Sequence, residues 1–293
     1  MADGLVWDHD PERLRRPVLV AGFEGWNDAA DAASSAASWL AMHGAARATP
    51  VASIDPELHF DFQSRRPTVE LIDGVTRQVA WPENVFSVVP REERDLVVLR
   101  GIEPSYCWRS FSQAVLEVAR ATGCELVVTF GALLADVPHT RAARVTGATT
   151  DPELIDRLAL APSTYEGPTG IVGVLHDRCR ELEIPSVSLW VPVPHYLASP
   201  PNPPATLALL DRFGALCGID FDLDRLRRTG DVWRTKVDEV AAADDDVRTY
   251  VRTLEERYDD EVAAEPEWGA NLPSGDELAT EVERYLREQR GDR

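Results

Sequence analysis

Twice in this chain an apolar run ends in Val-Pro-His. One copy is GALLADVPHTR, residues 131–141, after Leu126-Val127-Val128-Thr129-Phe130; the other is SLWVPVPHYL, residues 188–197, after Val187. Proline has no N–H to give a strand ladder, so each strand is expected to stop there and hand its imidazole to a loop. In open α/β sheets ligands bind just beyond the carboxyl ends of the strands. His139 and His195, with Arg141 beside the first, are therefore expected to share one cleft. The competing reading is that both histidines only order their loops. Asp136 stands near enough in sequence to join them at a metal, but two histidines and one acid on loops are a thin donor set, and no metal is expected.

Three further groups carry chemistry-bearing side chains. GFEGWND, residues 22–28, places two glycines before a helix start and offers Glu24, Trp26, Asn27 and Asp28. Backbone amides at a helix start bind anions, yet Glu24 and Asp28 would repel a phosphate, and a tight turn with a helix cap accounts for the same residues. Arg65-Arg66-Pro67 can clamp a carboxylate or phosphate through Arg66, or pair with Glu70 or Asp61 at the surface. Glu103, between Arg100 and Arg109, is a carboxylate that stays ionised, which suits pairing or ligand binding better than acid catalysis. Tyr165 and Thr169, on the glycine-bounded turn YEGPTG, complete the candidate cleft.

Several chemistries are excluded. There is no GxSxG elbow and no HExxH. Lys236 is the only lysine, within an acidic helical stretch, so neither a phosphate-binding Gly-Lys-Ser/Thr loop nor a Schiff-base lysine is available. The four cysteines, Cys107, Cys124, Cys179 and Cys217, form no CxxC and read as buried thiols. A net charge of −20 argues against a nucleic-acid partner. No apolar run approaches the ~20 residues of a membrane helix, and the first 17 residues have no signal-like apolar stretch, so a cytoplasmic protein is expected.

The elements that must position these groups are legible in outline. Strands are expected at residues 17–22, 48–54, 95–100, 125–130 and 186–191, with helices at 29–43, 108–122, 171–182 and 205–217. The alternation predicts a mixed, mostly parallel sheet with helices on both faces, a three-layer α/β/α sandwich. Residues 58–89 read as short strands, including 58–62 and a hairpin turning at Asp73-Gly74, so part of the sheet should be antiparallel or curl over. Helices are also expected to start at Asp151-Pro152 and to span 274–289. The core is expected to occupy residues 1–221 and an acidic helical extension residues 222–293, where 21 acids face 12 bases. Its apolar stripe of Leu223, Leu226, Val232, Trp233, Val237 and Val240 should be buried on the core or on a neighbouring subunit, with Trp233 and Trp268 as anchors.

At GFEGWNDAADAAS, RGIEPSYCWRSF, GALLADVPHTR, YEGPTGIVGVL and SLWVPVPHYLASPPNPPATLALL the chain resembles bacterial members of the proteasome assembly chaperone two family, over residues 15–220. Its LPSGDELATEVERYLREQ ending resembles the actinobacterial branch. The resemblance implies a fold akin to nucleoside phosphorylases and peptidyl-tRNA hydrolases, homo-oligomers (a trimer being one such form), protein partners such as proteasome subunits, and no agreed catalytic residues or cofactor. The family's hydrophobic-Tyr-any docking tail is replaced by Arg290-Gly291-Asp292-Arg293. Two functions follow as expectations. The first is a non-enzymatic, chaperone-like interaction module. The second is a nucleoside- or phosphate-type binding protein or phosphorylase-like enzyme using the cleft.

Overall fold

The structure, a computed structural model, describes residues 2–9, 13–43, 47–149, 161–162 and 166–264. The expected helix at Asp151, the last helix at 274–289, Trp268 and Tyr165 lie outside the described residues. The chain divides into two compact units, one of residues 1–26, 37–129 and 166–186, the other of residues 27–36, 130–165 and 187–293.

Nine strands form a mixed sheet in the order β1-β3-β6-β7-β2-β8-β11-β9-β10. Its centre is parallel. β2 (Val18–Glu24) runs alongside β7 (Leu96–Ile102), pairing Val18 with Leu96, and alongside β8 (Leu126–Ala135), pairing Val18 with Leu126. Val18, Leu19, Val20 and Ala21 are all fully buried, which requires cover on both faces and explains their unbroken apolar run. β3 (Thr49–Ile54), β6 (Asn84–Val89) and β7 pair antiparallel, and β1 (Leu5–Trp7) lies antiparallel on β3. β11 (Ser186–Pro194) takes β9 (Thr146–Thr149) antiparallel, and β9 takes β10 (Ala161–Pro162) parallel. The three-layer α/β/α arrangement predicted from the alternation is the fold.

β4 (Thr68–Ile72) and β5 (Thr76–Ala80) form a separate two-stranded ribbon. Asp73 and Gly74 turn it with φ of 52° and 74°, the positive pair a tight hairpin demands. Residues 58–62 are not the expected strand. A 3-10 turn, Pro56–Leu58, is capped by Asp55 and followed by turns that bury His59 and Phe60 in succession. Two consecutive buried residues contradict the alternation a strand needs.

α1 (Ala32–Met42) starts where the Asp28 carboxylate accepts the Ala33 and Ser34 N–H groups, and it packs through fully buried Ala33, Ala36 and Ala37. α2 (Trp108–Ala121) buries Phe111, Ala114, Val115 and Val118 at helical spacing, and Gly123 closes it at φ 71°. α3 (Ile171–Glu181) precedes β11. α4 (Pro203–Cys217) begins two residues before its predicted start, because the Asn202 amide oxygen caps Ala205 N–H and Pro203 suits the first turn. In the second unit Phe213 meets Phe130 edge-on at 5.5 Å and stacks on Phe221 at 6.0 Å. α5 (Asp224–Ala242) and α6 (Asp245–Ala264) follow, α6 capped by Asp244. Of the predicted stripe, Leu223 is buried and Leu226, Trp233 and Val237 are half-buried, while Val232 and Val240 face solvent.

Candidate functional site

Both Val-Pro-His segments belong to the second unit and meet at one phenol. β8 runs on to Ala135 before Val137-Pro138-His139, and β11 passes through Pro192 to Pro194. The prolines cost no ladder bond to β9, whose register with β11 covers only Ser188 to Trp190. His195 then opens a 3-10 turn that includes Tyr196. The Tyr196 hydroxyl accepts the His139 backbone N–H at 2.9 Å and lies 2.7 Å from His139 Nδ1. With one lone pair so used, its proton is directed at Nδ1, which leaves the ring proton on Nε2, 3.1 Å from Asp238 Oδ1 on α5. Burial pushes the Tyr196 phenol above its ordinary value, against the pull of that backbone N–H.

His195 has a different environment. Its Nδ1 lies 3.1 Å from Asp136 and its Nε2 3.2 Å from the Tyr250 hydroxyl on α6. The His139 and His195 rings stand edge-on to Tyr196 at 5.8 and 5.6 Å. Beyond His139, Thr140 donates its hydroxyl proton to Glu255. Arg141 reaches Asp259 through two nitrogens at 2.9 and 2.7 Å and Glu255 through a third contact at 3.1 Å. The Asp259 hydrogen bonds raise Arg141 and the same guanidinium lowers Asp259, so both stay charged. Tyr258 donates to the Ala142 carbonyl at 2.8 Å. A cavity of about 30 Å3 remains between Pro138, His139, Pro192, Pro194, Trp233 and Tyr258. That is room for a water, far from the several hundred Å3 of a small-molecule site.

In the second unit, Asn27 and Asp28 are buried, and the Asn27 carbonyl accepts Ala132 N–H at 2.8 Å. Desolvation raises Asp28 above its ordinary value, and its second carboxylate oxygen is buried with no bond among the described residues. The remaining candidates belong to the first unit. Glu103 accepts Trp26 N–H at 3.1 Å and, through its other oxygen, Ile171 N–H at the start of α3 at 2.9 Å. A carboxylate at a helix N-terminus is favourably placed. Glu24 is bonded by Arg65; Arg66 reaches Gln63 at 3.3 Å. Trp26, Arg109 and Thr169 are exposed. Tyr196, Asp238, Tyr250, Glu255 and Asp259 are not legible as site residues in the sequence, where the only trace of the last four is the acidity of the tail.

Chemically this is a hydroxyl, an imidazole and a carboxylate in line, without a serine or cysteine nucleophile in it. The ring of His139 is 1% exposed. Such a line holds loops in register and keeps a buried histidine's nitrogens paired. Among the described residues no three His, Cys, Asp or Glu side chains are grouped to hold a metal ion, and no helix is long and apolar enough to cross a membrane.

A model of the PAC2 family matches residues 22–241. Among solved structures, a PAC2 family protein from Streptomyces avermitilis is 47% identical with a TM-score of 0.76, covering 80% of this chain and 99% of that one. A proteasome-assembly chaperone homologue from Mycobacterium tuberculosis is 41% identical with a TM-score of 0.73, over the same shares of the two chains. PbaB, an archaeal proteasome activator from Pyrococcus furiosus, is 18% identical with a TM-score of 0.63, covering 80% of this chain and 97% of that one, and shares the fold. No curated protein matches the chain.

Proposed function

Because the chain belongs to the PAC2 family, we propose that it is a non-catalytic interaction module of the cytoplasm, chaperone-like, that works as a homo-oligomer and engages other proteins. The observation that carries this reading is the β4–β5 ribbon. Every residue of β4 is exposed, among them Leu71 at 61%, and Val75 at the turn is 84% exposed. Val69 sits opposite Val79, and Trp81, 49% exposed, meets Phe62 at 5.0 Å. A lone two-stranded ribbon is barely stable in water, and a contiguous apolar patch of this kind marks a protein contact. A second copy is the occupant that suits a patch carried by every protomer. Proteasome subunits are the client that the name of the Mycobacterium relative supports. Residues 222–293 form an extension on a core of residues 1–221 in this reading.

Sedimentation at micromolar concentration tests the first step. The parent chain should run as an oligomer and the Leu71→Glu, Val79→Lys double variant as a folded monomer. A parent chain that is monomeric at tens of micromolar overturns self-association. Co-purification with 20S subunits from the native host tests the client.

A second reading, a nucleoside- or phosphate-type site using His139, Arg141 and His195 with Glu24, Trp26, Arg66, Glu103, Arg109 and Thr169, draws on the Tyr196–His139–Asp238 line. A thermal-shift screen with inorganic phosphate and nucleosides decides it: saturating binding raises the midpoint, and a flat screen removes the reading.

A further inference from the structure

The two helices after Leu223 are held by charge more than by apolar burial. On α5 only Gly230 is buried, Trp233 is half-buried, and Val232 and Val240 face solvent. On α6 the buried apolar side chains are Val251 and Leu254. Against this stand the polar ties to the two Val-Pro-His loops: Asp238 to His139, Glu255 to Thr140 and Arg141, Asp259 to Arg141, Tyr250 to His195 and Tyr258 to the Ala142 carbonyl. Arg141 is the hub, with three of its contacts made to acids of one helix face four residues apart. The pairs at Arg141 and Asp259 are partly exposed, at 35% and 54%. Exposed ion pairs are individually weak and are screened by salt.

The chain leading into the helices is fastened differently. Phe221 stacks on Phe213, Leu223 is buried, and Ile219 N–H bonds the Gly214 carbonyl at 2.9 Å. The anchored segment therefore ends where α5 begins, and a motion of the pair has a defined pivot there.

We propose that α5 and α6 form a cover that detaches as one unit, latched over the His139–Arg141 loop by Arg141. Charge screening or loss of Arg141 releases it while the sheet stays folded, uncovering the wall of Val137, Pro138, Pro192 and Pro194 together with a loop that is then cationic. Regions with few buried apolar contacts open below the global unfolding free energy, and here the missing apolar hold is replaced by ion pairs.

Amide hydrogen exchange on the full chain tests this. At 50 mM NaCl, Arg141→Ala should exchange at least tenfold faster than the parent over residues 224–264, with β2, β7 and β8 unchanged. In 1 M NaCl the parent should approach the variant, and the variant should change little. The Arg141→Asp, Asp259→Arg exchange of charges should regain part of the protection. If residues 224–264 of the parent exchange no faster in salt, or if β2 and β8 quicken in the same proportion as the helices, the latch is overturned. The salt series on the parent chain decides between these outcomes even where the variant fails to fold.

Discussion

The Tyr196 hydroxyl serves His139 twice, accepting its backbone N–H at 2.9 Å and facing its Nδ1 at 2.7 Å, across 57 residues of sequence. One oxygen thereby joins the loop after β8 to the turn after β11. Tyr196→Phe keeps the ring and deletes the oxygen, leaving two polar groups of His139 unpaired. It should cost about 1–3 kcal/mol in urea unfolding with an unchanged m-value. A variant as stable as the parent would mean that water replaces the phenol without penalty.

Acid should destabilise the first unit through His176. Its ring is fully buried between Thr129 Oγ1 at 2.8 Å and Ser186 Oγ at 2.9 Å, and desolvation lowers it to about 4. The unfolded chain takes up its proton near the ordinary value of about 6.5, while the folded chain holds out to about 4. Stability from this group is thus complete above about pH 6.5 and falls as pH drops through that window, by roughly 3 kcal/mol in all. His59, lowered by the same burial, adds a loss of the same sign. Denaturant midpoints from pH 7.5 to 4.5 should fall, and His176→Gln should flatten the curve; parallel curves would assign the acid sensitivity elsewhere.

Glu103 should matter for stability and Arg109 should not, although the sequence nominated both. Glu103→Gln leaves one of two backbone N–H groups, Trp26 or Ile171, facing an amide that cannot accept, and removes a charge from the start of α3. The expected loss is about 1–2 kcal/mol. Exposed Arg109→Ala should leave the melting curve unchanged. Equal behaviour of the two variants would contradict this division.

Gly131 is required by Trp190. A Cβ built on Gly131 falls 2.5 Å from the indole, inside any real contact distance. Gly131→Ala should cost about 1–3 kcal/mol in the parent and markedly less in a Trp190→Ala background. An equal cost in both backgrounds would place the strain in the backbone of β8.

Elements marked by composition and by end signals were readable in the sequence. β2, β7 and β8 are unbroken apolar runs because their strands are covered on both faces, and α2 carries its helical spacing and its closing glycine openly. Two readings failed for local reasons. His59 and Phe60 looked like half of an alternating strand, yet both are buried around the turns after Pro56. Pro192 looked like a strand end, yet it lies past the last β9 partner of β11, where no ladder bond is lost. The site was half legible: the histidines announced themselves, whereas Tyr196, Asp238 and Asp259 did not. Their roles exist only through contacts made 57 to 118 residues away, for which a sequence carries no local period.

The placement of β2 at the centre of the sheet also sets the order of events at the ribosome. Val18 pairs with Leu96 on one side and Leu126 on the other, so a wholly apolar strand made among the first residues has no neighbour until most of the sheet has been synthesised. At roughly 5–20 residues per second the nascent chain holds that strand unpaired for several seconds at least. Pairings of such long sequence separation also close slowly. A protein whose family is named for assisting the assembly of others is thus, during its own synthesis, a client for whatever shields nascent apolar strands.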